Sequence, residues 1–195
     1  MTDPFDDIQF VVFDGREVFW ELRAWLGDRP HVWHASETIG EQYTTPIWQQ
    51  RNTMLQRFLQ SSDRPWLAML DDDMSPDDDT RPLWESDYPI ASAHCADHAG
   101  RPVHDEDGQF CCGACKISRA ALERIEADPF GPPLPGQCEC NTFRYAARRA
   151  SYWPRKAGAC AHVMIAALKL REDGTRIRLI RPEAGYETKH TAQGN

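Results

Sequence analysis

Apolar residues in this chain come in short runs whose spacing alternates between the two-residue repeat of a strand and the longer repeat of a helix. Ile8-Gln9-Phe10-Val11-Val12-Phe13 is rich in β-branched and aromatic residues and stops at Asp14-Gly15, which predicts a buried strand and a turn. Over 17–26, Val18, Leu22, Trp25 and Leu26 recur at helical spacing, and Gly27-Asp28-Arg29-Pro30 ends that helix. His31-Val32-Trp33-His34 predicts a second strand. Pro46 then opens a longer helix with Ile47, Met54, Leu55, Phe58 and Leu59 on its apolar face. After Asp63-Arg64-Pro65 comes a third strand, Trp66-Leu67-Ala68-Met69-Leu70. Strand, helix, strand, helix, strand is the order of an α/β sheet with mainly parallel neighbours, in which ligands gather at the carboxyl ends of the strands.

The second half is less regular. It reads as a polar connection over 77–82, a strand over 89–93, a turn-rich loop over 97–108 and an extended segment over 110–117. A helix over 118–125, a proline- and glycine-rich break over 129–136, a helix over 139–149 and a hairpin from Leu168-Lys169-Leu170 to Ile177-Arg178-Leu179-Ile180 follow. At 195 residues the chain suits one domain with a proper core, placed at 1–182, with a loose tail at 183–195.

The third strand carries the chemistry, because it runs straight into Asp71-Asp72-Asp73 before Met74-Ser75-Pro76 stops it. Three adjacent like charges repel, so the arrangement makes sense where a divalent cation or solvent neutralises them. In an extended segment Asp71 and Asp73 point to one side and Asp72 to the other, a D-x-D geometry suited to Mg²⁺ or Mn²⁺. A solvated acidic loop is the plain alternative.

A net charge of -8 and a pI near 5.3 argue against non-specific affinity for nucleic acid or anionic membrane, while leaving room for a local basic groove. No apolar run reaches a membrane span, and Met1-Thr2-Asp3-Pro4 is no leader, so a soluble, cytoplasmic protein is expected. Seven cysteines without a secretion signal predict reduced thiols.

In order along the chain, several segments over residues 45–163 resemble the GT-A fold nucleotide-sugar-dependent glycosyltransferases, especially the small family-two-like members of phages and bacteria. Ile47, Arg51 and Asn52, followed by Leu55, Phe58 and Leu59, look like the arginine-asparagine helix that precedes the metal strand in that family. Leu67 to Met74 is similar to its D-x-D strand, and Cys112-Gly113-Ala114-Cys115 with the helix after it is similar to the small-residue strand lining the sugar pocket. Glu139-Cys140-Asn141-Thr142-Phe143 resembles the acidic start of the acceptor-side helix, and Cys160-Ala161-His162 falls where a metal-ligand histidine often follows. The resemblance implies a GT-A-like, Rossmann-type, mostly parallel sheet flanked by helices. It also implies a hexosyltransferase-like enzyme dependent on Mn²⁺ or Mg²⁺, taking a nucleoside diphosphate sugar donor to an acceptor that is a glycan, a protein or a modified nucleic acid.

By the same resemblance Asp73, with Asp71, ligates the metal and His162 is its imidazole ligand. Asp71 alternatively serves the ribose or an outer-sphere contact. Asp14, Arg51, Asp72, Gly113 and Ala114 fall to the nucleotide sugar, with Arg51 either on phosphate or in an ion pair with the acids. Inverting relatives begin the acceptor-side helix with two acids, one of them the base; here Cys140 stands beside Glu139, so Glu139 is the base or the enzyme is not a standard inverting one. The first turn departs too, with Phe13-Asp14-Gly15-Arg16 in place of a proline- and asparagine-containing loop. The chain is short for this class, so the acceptor side is either minimal or supplied by a partner protein.

Cysteines give the competing reading. Cys111, Cys112 and Cys115, with Cys138, Cys140 and Cys160, combine C-x-x-C and C-x-C spacings that can close a thiolate zinc site, which would make the chain a non-catalytic zinc- or nucleotide-binding module. Trp84 and Trp153 are the two of seven tryptophans best placed to stack on a sugar or acceptor ring. His94 and His98 near Asp97 read as a polar loop.

Overall fold

The computed structural model describes residues 3, 5–14, 18, 20–29, 31–39, 45–96, 102–103, 109–133, 135, 137–162, 168–170 and 176–178. The first strands form where the apolar runs place them: β1 is Ile8–Phe13, β2 Val32–His34 and β3 Trp66–Asp71. Helix α1 is Trp20–Leu26, α2 Ala35–Ile39 and α3 Ile47–Ser61. A two-residue strand β4 (Met74–Ser75), a 3₁₀ turn over Asp78–Thr80 and helix α4 (Arg81–Glu85) replace the expected polar connection. Then come β5 (Ile90–Ala96), β6 (Pro102–Val103), β7 (Ala114–Ser118), α5 (Arg119–Leu122), α6 (Glu139–Arg149) and β8 (Arg155–His162). The expected hairpin is present as the antiparallel pair β9 (Leu168–Leu170) and β10 (Arg176–Arg178). The tail over 183–195 and most of the 97–108 loop lie outside the described residues.

One sheet has the order β2-β1-β3-β7-β5-β8-β4, with β6 on β5. Parallel pairing holds for β2-β1-β3 and for β5-β8, whereas β7 runs antiparallel to both its neighbours and β4 antiparallel to β8. Strand alternation sorts the core: Val11, Phe13, Leu67 and Met69 face a layer with α3, α5 and α6, while Ile8, Phe10, Val12, Ala68 and Leu70 face a layer with α1 and α4. Both faces of β1 and β3 are therefore covered, which explains their near-continuous apolar sequence.

The extended segment expected over 110–117 is shorter, because Cys112 and Gly113 form a turn and β7 starts at Ala114. Strand β8 was not legible in the sequence. It carries a register irregularity against β5 between Ser92 and His94. Within it Gly158 adopts φ +65°, and a Cβ there would lie 2.8 Å from the Asp79 carbonyl. The 3₁₀ turn thus closes onto β8, where the Thr80 hydroxyl donates to the Ala159 carbonyl at 2.7 Å.

Candidate active site

Parallel pairing brings the carboxyl ends of β2, β1 and β3 to one edge, with Val12 beside His34 and Phe13 beside Asp71. Asp71 is the last residue of β3, and its amide donates to the Gly113 carbonyl at 3.0 Å. Asp72 and Asp73 do not continue the strand. They form a turn and are 3% and 5% exposed, so the expected alternation of Asp71 and Asp73 to one side stops at Asp71. The chain resumes as β4, whose Met74 pairs with His162. A residue 88 positions further on thereby stands across from the residue after Asp73; the His162 side chain lies outside the described residues.

Arg51 is the centre of the arrangement. It sits on α3 with 1% exposure, its guanidinium 4.6 Å above the Phe13 ring. Its Nη2 donates to Asp71 Oδ1 at 2.7 Å, its Nε to Glu139 Oε1 at 3.2 Å and its Nη1 to the Cys112 carbonyl at 3.4 Å. Burial works against its charge, but Asp71 and Glu139 outweigh it and hold the group protonated well above its ordinary range. Of the two roles the sequence left open, Arg51 makes the ion pair with the acids. Its neighbour Asn52 exchanges two hydrogen bonds with the Phe130 backbone, at 2.7 and 3.0 Å, and so fixes the 129–131 break beside α6. The sequence placed Asn52 in the helix motif without anticipating that bond, although a buried amide on an amphipathic helix face is the signal that would have found it.

Asp14 follows β1. Its Oδ2 accepts from His34 Nδ1 at 2.7 Å and its Oδ1 from the Ser36 amide at 2.9 Å, tying β1 to β2 and to the first turn of α2. Burial pushes the Asp14 carboxyl up, yet the His34 and Ser36 hydrogen bonds together bring it below its ordinary value. His34, held chiefly by that same hydrogen bond, is raised. His34 joins this edge unannounced by any motif; its signal in the sequence is a histidine closing a strand next to an acid-ended one.

The crystal structure of A197 from STIV matches with a TM-score of 0.56 and 18% identity, covering 94% of this chain and 99% of that one. The fold is GT-A-like. The crystal structure of a glycosyltransferase involved in the glycosylation of the major capsid of PBCV-1 matches with a TM-score of 0.46 and 12% identity, covering 80% of this chain and 92% of that one. No family model matches the sequence, and none of the curated proteins does at a significant level. At these identities the likeness is one of fold.

Within this GT-A-like fold the remaining candidates separate. Gly113 lies in the turn beside Asp71, and Ala114 is fully buried opposite Leu70. Glu139 opens α6 with a side chain 14% exposed. Trp84 is no stacking platform: it is 1% exposed, packed on Phe10 and Trp25 with ring centroids 5.4 and 5.6 Å apart. Trp153 is 62% exposed. His94 belongs to β5 rather than to a loop, and Asp97 and His98 lie outside the described residues.

The cysteines are all free thiols, and the sheet divides them. Cys112, Cys115, Cys138 and Cys140 pack on the α6 side, while Cys95, Cys111 and Cys160 pack on the other. The two spaced pairs, Cys112 with Cys115 and Cys138 with Cys140, thus share one side of the sheet, while Cys111 and Cys160 lie on the other. Among the described residues, the group whose donor atoms lie within 4.8 Å of one another is Cys112, Glu139 and Cys140. The Cys112 amide also donates to Cys140 Sγ at 3.3 Å. Burial, the largest influence on Cys112, pushes its thiol up to about 12. Among the described residues no helix is long and apolar enough to cross a membrane.

Proposed function

We propose that this protein is a divalent-cation-dependent glycosyltransferase that binds a nucleoside diphosphate sugar along the carboxyl edge of β1, β2 and β3 and transfers the sugar to an acceptor held beside α6. The observation that carries the reading is the Arg51 fork. One buried guanidinium bonds the last residue of the acid-ended strand and the first residue of the helix that bears Glu139. The two acids are thereby held at a fixed separation, and positioning of this kind is what a transfer reaction needs.

Asp73 is the direct ligand, with His162 as the imidazole ligand; the hard oxygens of the acidic turn suit Mn²⁺ or Mg²⁺, which keep water and phosphate among their ligands. When bound, the cation supplies positive charge for the leaving diphosphate. Asp71, with one oxygen on Arg51, suits the ribose or an outer-sphere contact better than direct ligation. Asp14 and Asp72 fall to the nucleotide sugar, Asp14 on the nucleobase side, and Gly113 and Ala114 line the sugar with small residues. Glu139 receives the acceptor proton.

Calorimetric titration of UDP and GDP, with and without Mn²⁺, tests this on the wild type and on Asp73→Ala. Nucleotide binding that needs Mn²⁺ and disappears in the variant is expected. Binding that ignores the metal, or that survives the substitution, overturns the reading.

A second reading is favoured by the convergence of Cys112, Glu139 and Cys140. With half-buried Cys138 close by, these groups suit a thiolate-bound zinc ion, and the domain would then be a binding module in which Glu139 is a ligand and not a base. Zinc that persists through dialysis of the wild type and is lost from Cys140→Ser would support it, because thiolate zinc is retained where a cation on carboxylates exchanges.

A further inference from the structure

Residues 144–156 read Arg-Tyr-Ala-Ala-Arg-Arg-Ala-Ser-Tyr-Trp-Pro-Arg-Lys: five basic residues, three aromatic ones and no carboxylate, in a chain whose net charge is -8. Such a local reversal of charge needs a reason. Part of it is internal, since Arg149 pairs with Glu126, and Lys156 Nζ donates to Ser92 Oγ at 3.1 Å and to the Ala93 carbonyl at 3.0 Å. Two exposed rings of the segment each meet a guanidinium. Trp153 is 62% exposed with the Arg148 guanidinium 4.5 Å from its ring centre, and Tyr145 is 46% exposed with the Arg144 guanidinium at 4.9 Å.

The two ring–guanidinium pairs are neighbours by construction. Arg144 and Arg148 are four apart on α6, and Tyr145 and Arg148 three apart, so all three share one face of the helix. The helix then ends in a reversal: the Ser151 amide donates to the Arg148 carbonyl and the Tyr152 amide to the Ala147 carbonyl, each at 2.9 Å. Ser151 closes that motif at φ 66°, a conformation usually left to glycine. The reversal turns the chain back so that Trp153 lies against Arg148 rather than running into solvent.

We infer that this face of α6 and the segment after it bind single-stranded nucleic acid. Exposed rings carry bases by stacking with little regard to sequence, and guanidinium groups at their edges meet the phosphates between them. Arginine outnumbers lysine four to one across the segment, and the planar guanidinium suits both tasks better than an ammonium. An acidic glycan would also lay sugar rings on these faces, so comparison with an acidic polysaccharide belongs to the test. The inference stands apart from the donor site; where both hold, the acceptor is a nucleic acid.

Fluorescence anisotropy of a labelled oligothymidylate tests it on the full chain, without cation or nucleotide sugar. Binding that weakens steeply with salt is expected, with a loss of roughly tenfold or more in the Arg148→Ala/Trp153→Ala double variant. Asp73→Ala should bind as the wild type does, which separates this result from failure of the donor site. Thermal unfolding of each variant shows that the fold is kept. Absence of binding, equal binding by the double variant, or equal affinity for hyaluronan, an acidic polymer with no aromatic ring, overturns the inference.

Discussion

Removing the Arg51 guanidinium is the sharpest test of how the site is held. Arg51→Met keeps an unbranched apolar stem in the core but removes the guanidinium that lies over Phe13, and Asp71 and Glu139 lose their shared partner. Taking one partner out of a buried ion pair costs about 3–5 kcal/mol. Here the two carboxylates retain 27% and 14% exposure, so water recovers part of the loss and the lower end, about 3 kcal/mol, is expected. For a chain of this size that corresponds to a fall of roughly 6–12 °C in Tm. Urea denaturation of wild type and variant measures the difference directly. Arg51→Lys should fall between them, because an ammonium keeps the charge and loses the fork that reaches both acids. The decisive control is the Asp71→Asn/Glu139→Gln background, where the same Arg51→Met step should cost less than half as much. A loss below about 1 kcal/mol, or an equal loss in both backgrounds, would refute the account of Arg51 as the tie between β3 and α6.

The other expectations are local. Stabilisation from the raised His34 is fully present below the ordinary histidine value and fades as pH rises through its folded value, while that from the lowered Asp14 is present above the ordinary aspartate value and fades as pH falls through its own. The pair therefore contributes most between roughly pH 4 and 6.5, and His34→Asn should flatten the decline of stability above that window; an unchanged slope would count against the pair. Gly158→Ala places a Cβ 2.8 Å from the Asp79 carbonyl at a positive φ, and a loss of at least ~2 kcal/mol is expected in chemical denaturation. In native thiol titration Cys138, half-buried, should react ahead of the six buried cysteines, among them Cys112 and Cys115, whose thiols burial pushes up to about 12. Fast reaction of Cys112 would mean that the start of β7 is open to solvent.

What the sequence determined by itself was everything set by near neighbours along the chain. Ile8–Phe13, Ile47–Ser61 and Glu139–Arg149 form where their apolar spacing and bounding residues place them, since a buried strand or an amphipathic helix is specified within its own span. The acids at the end of β3 were legible for the same reason: an apolar run that stops in carboxylates must end at a surface or a site. Tertiary structure decided what depends on distant partners. Sequence alone did not say which acids Arg51 would meet; Asp71 and Glu139, 20 and 88 residues away, reach it only in the folded chain. Trp84 and Trp153 looked alike in sequence, yet one is sealed under Phe10 and Trp25 and the other lies exposed against Arg148 after the reversal at Ser151. Of the six cysteines that the sequence grouped, the sheet keeps Cys112, Cys115, Cys138 and Cys140 on one face and sets Cys111 and Cys160 on the other. Short-range periodicity fixes which residues an element buries; which buried residues meet depends on strand order and register, and those follow from packing of the whole chain.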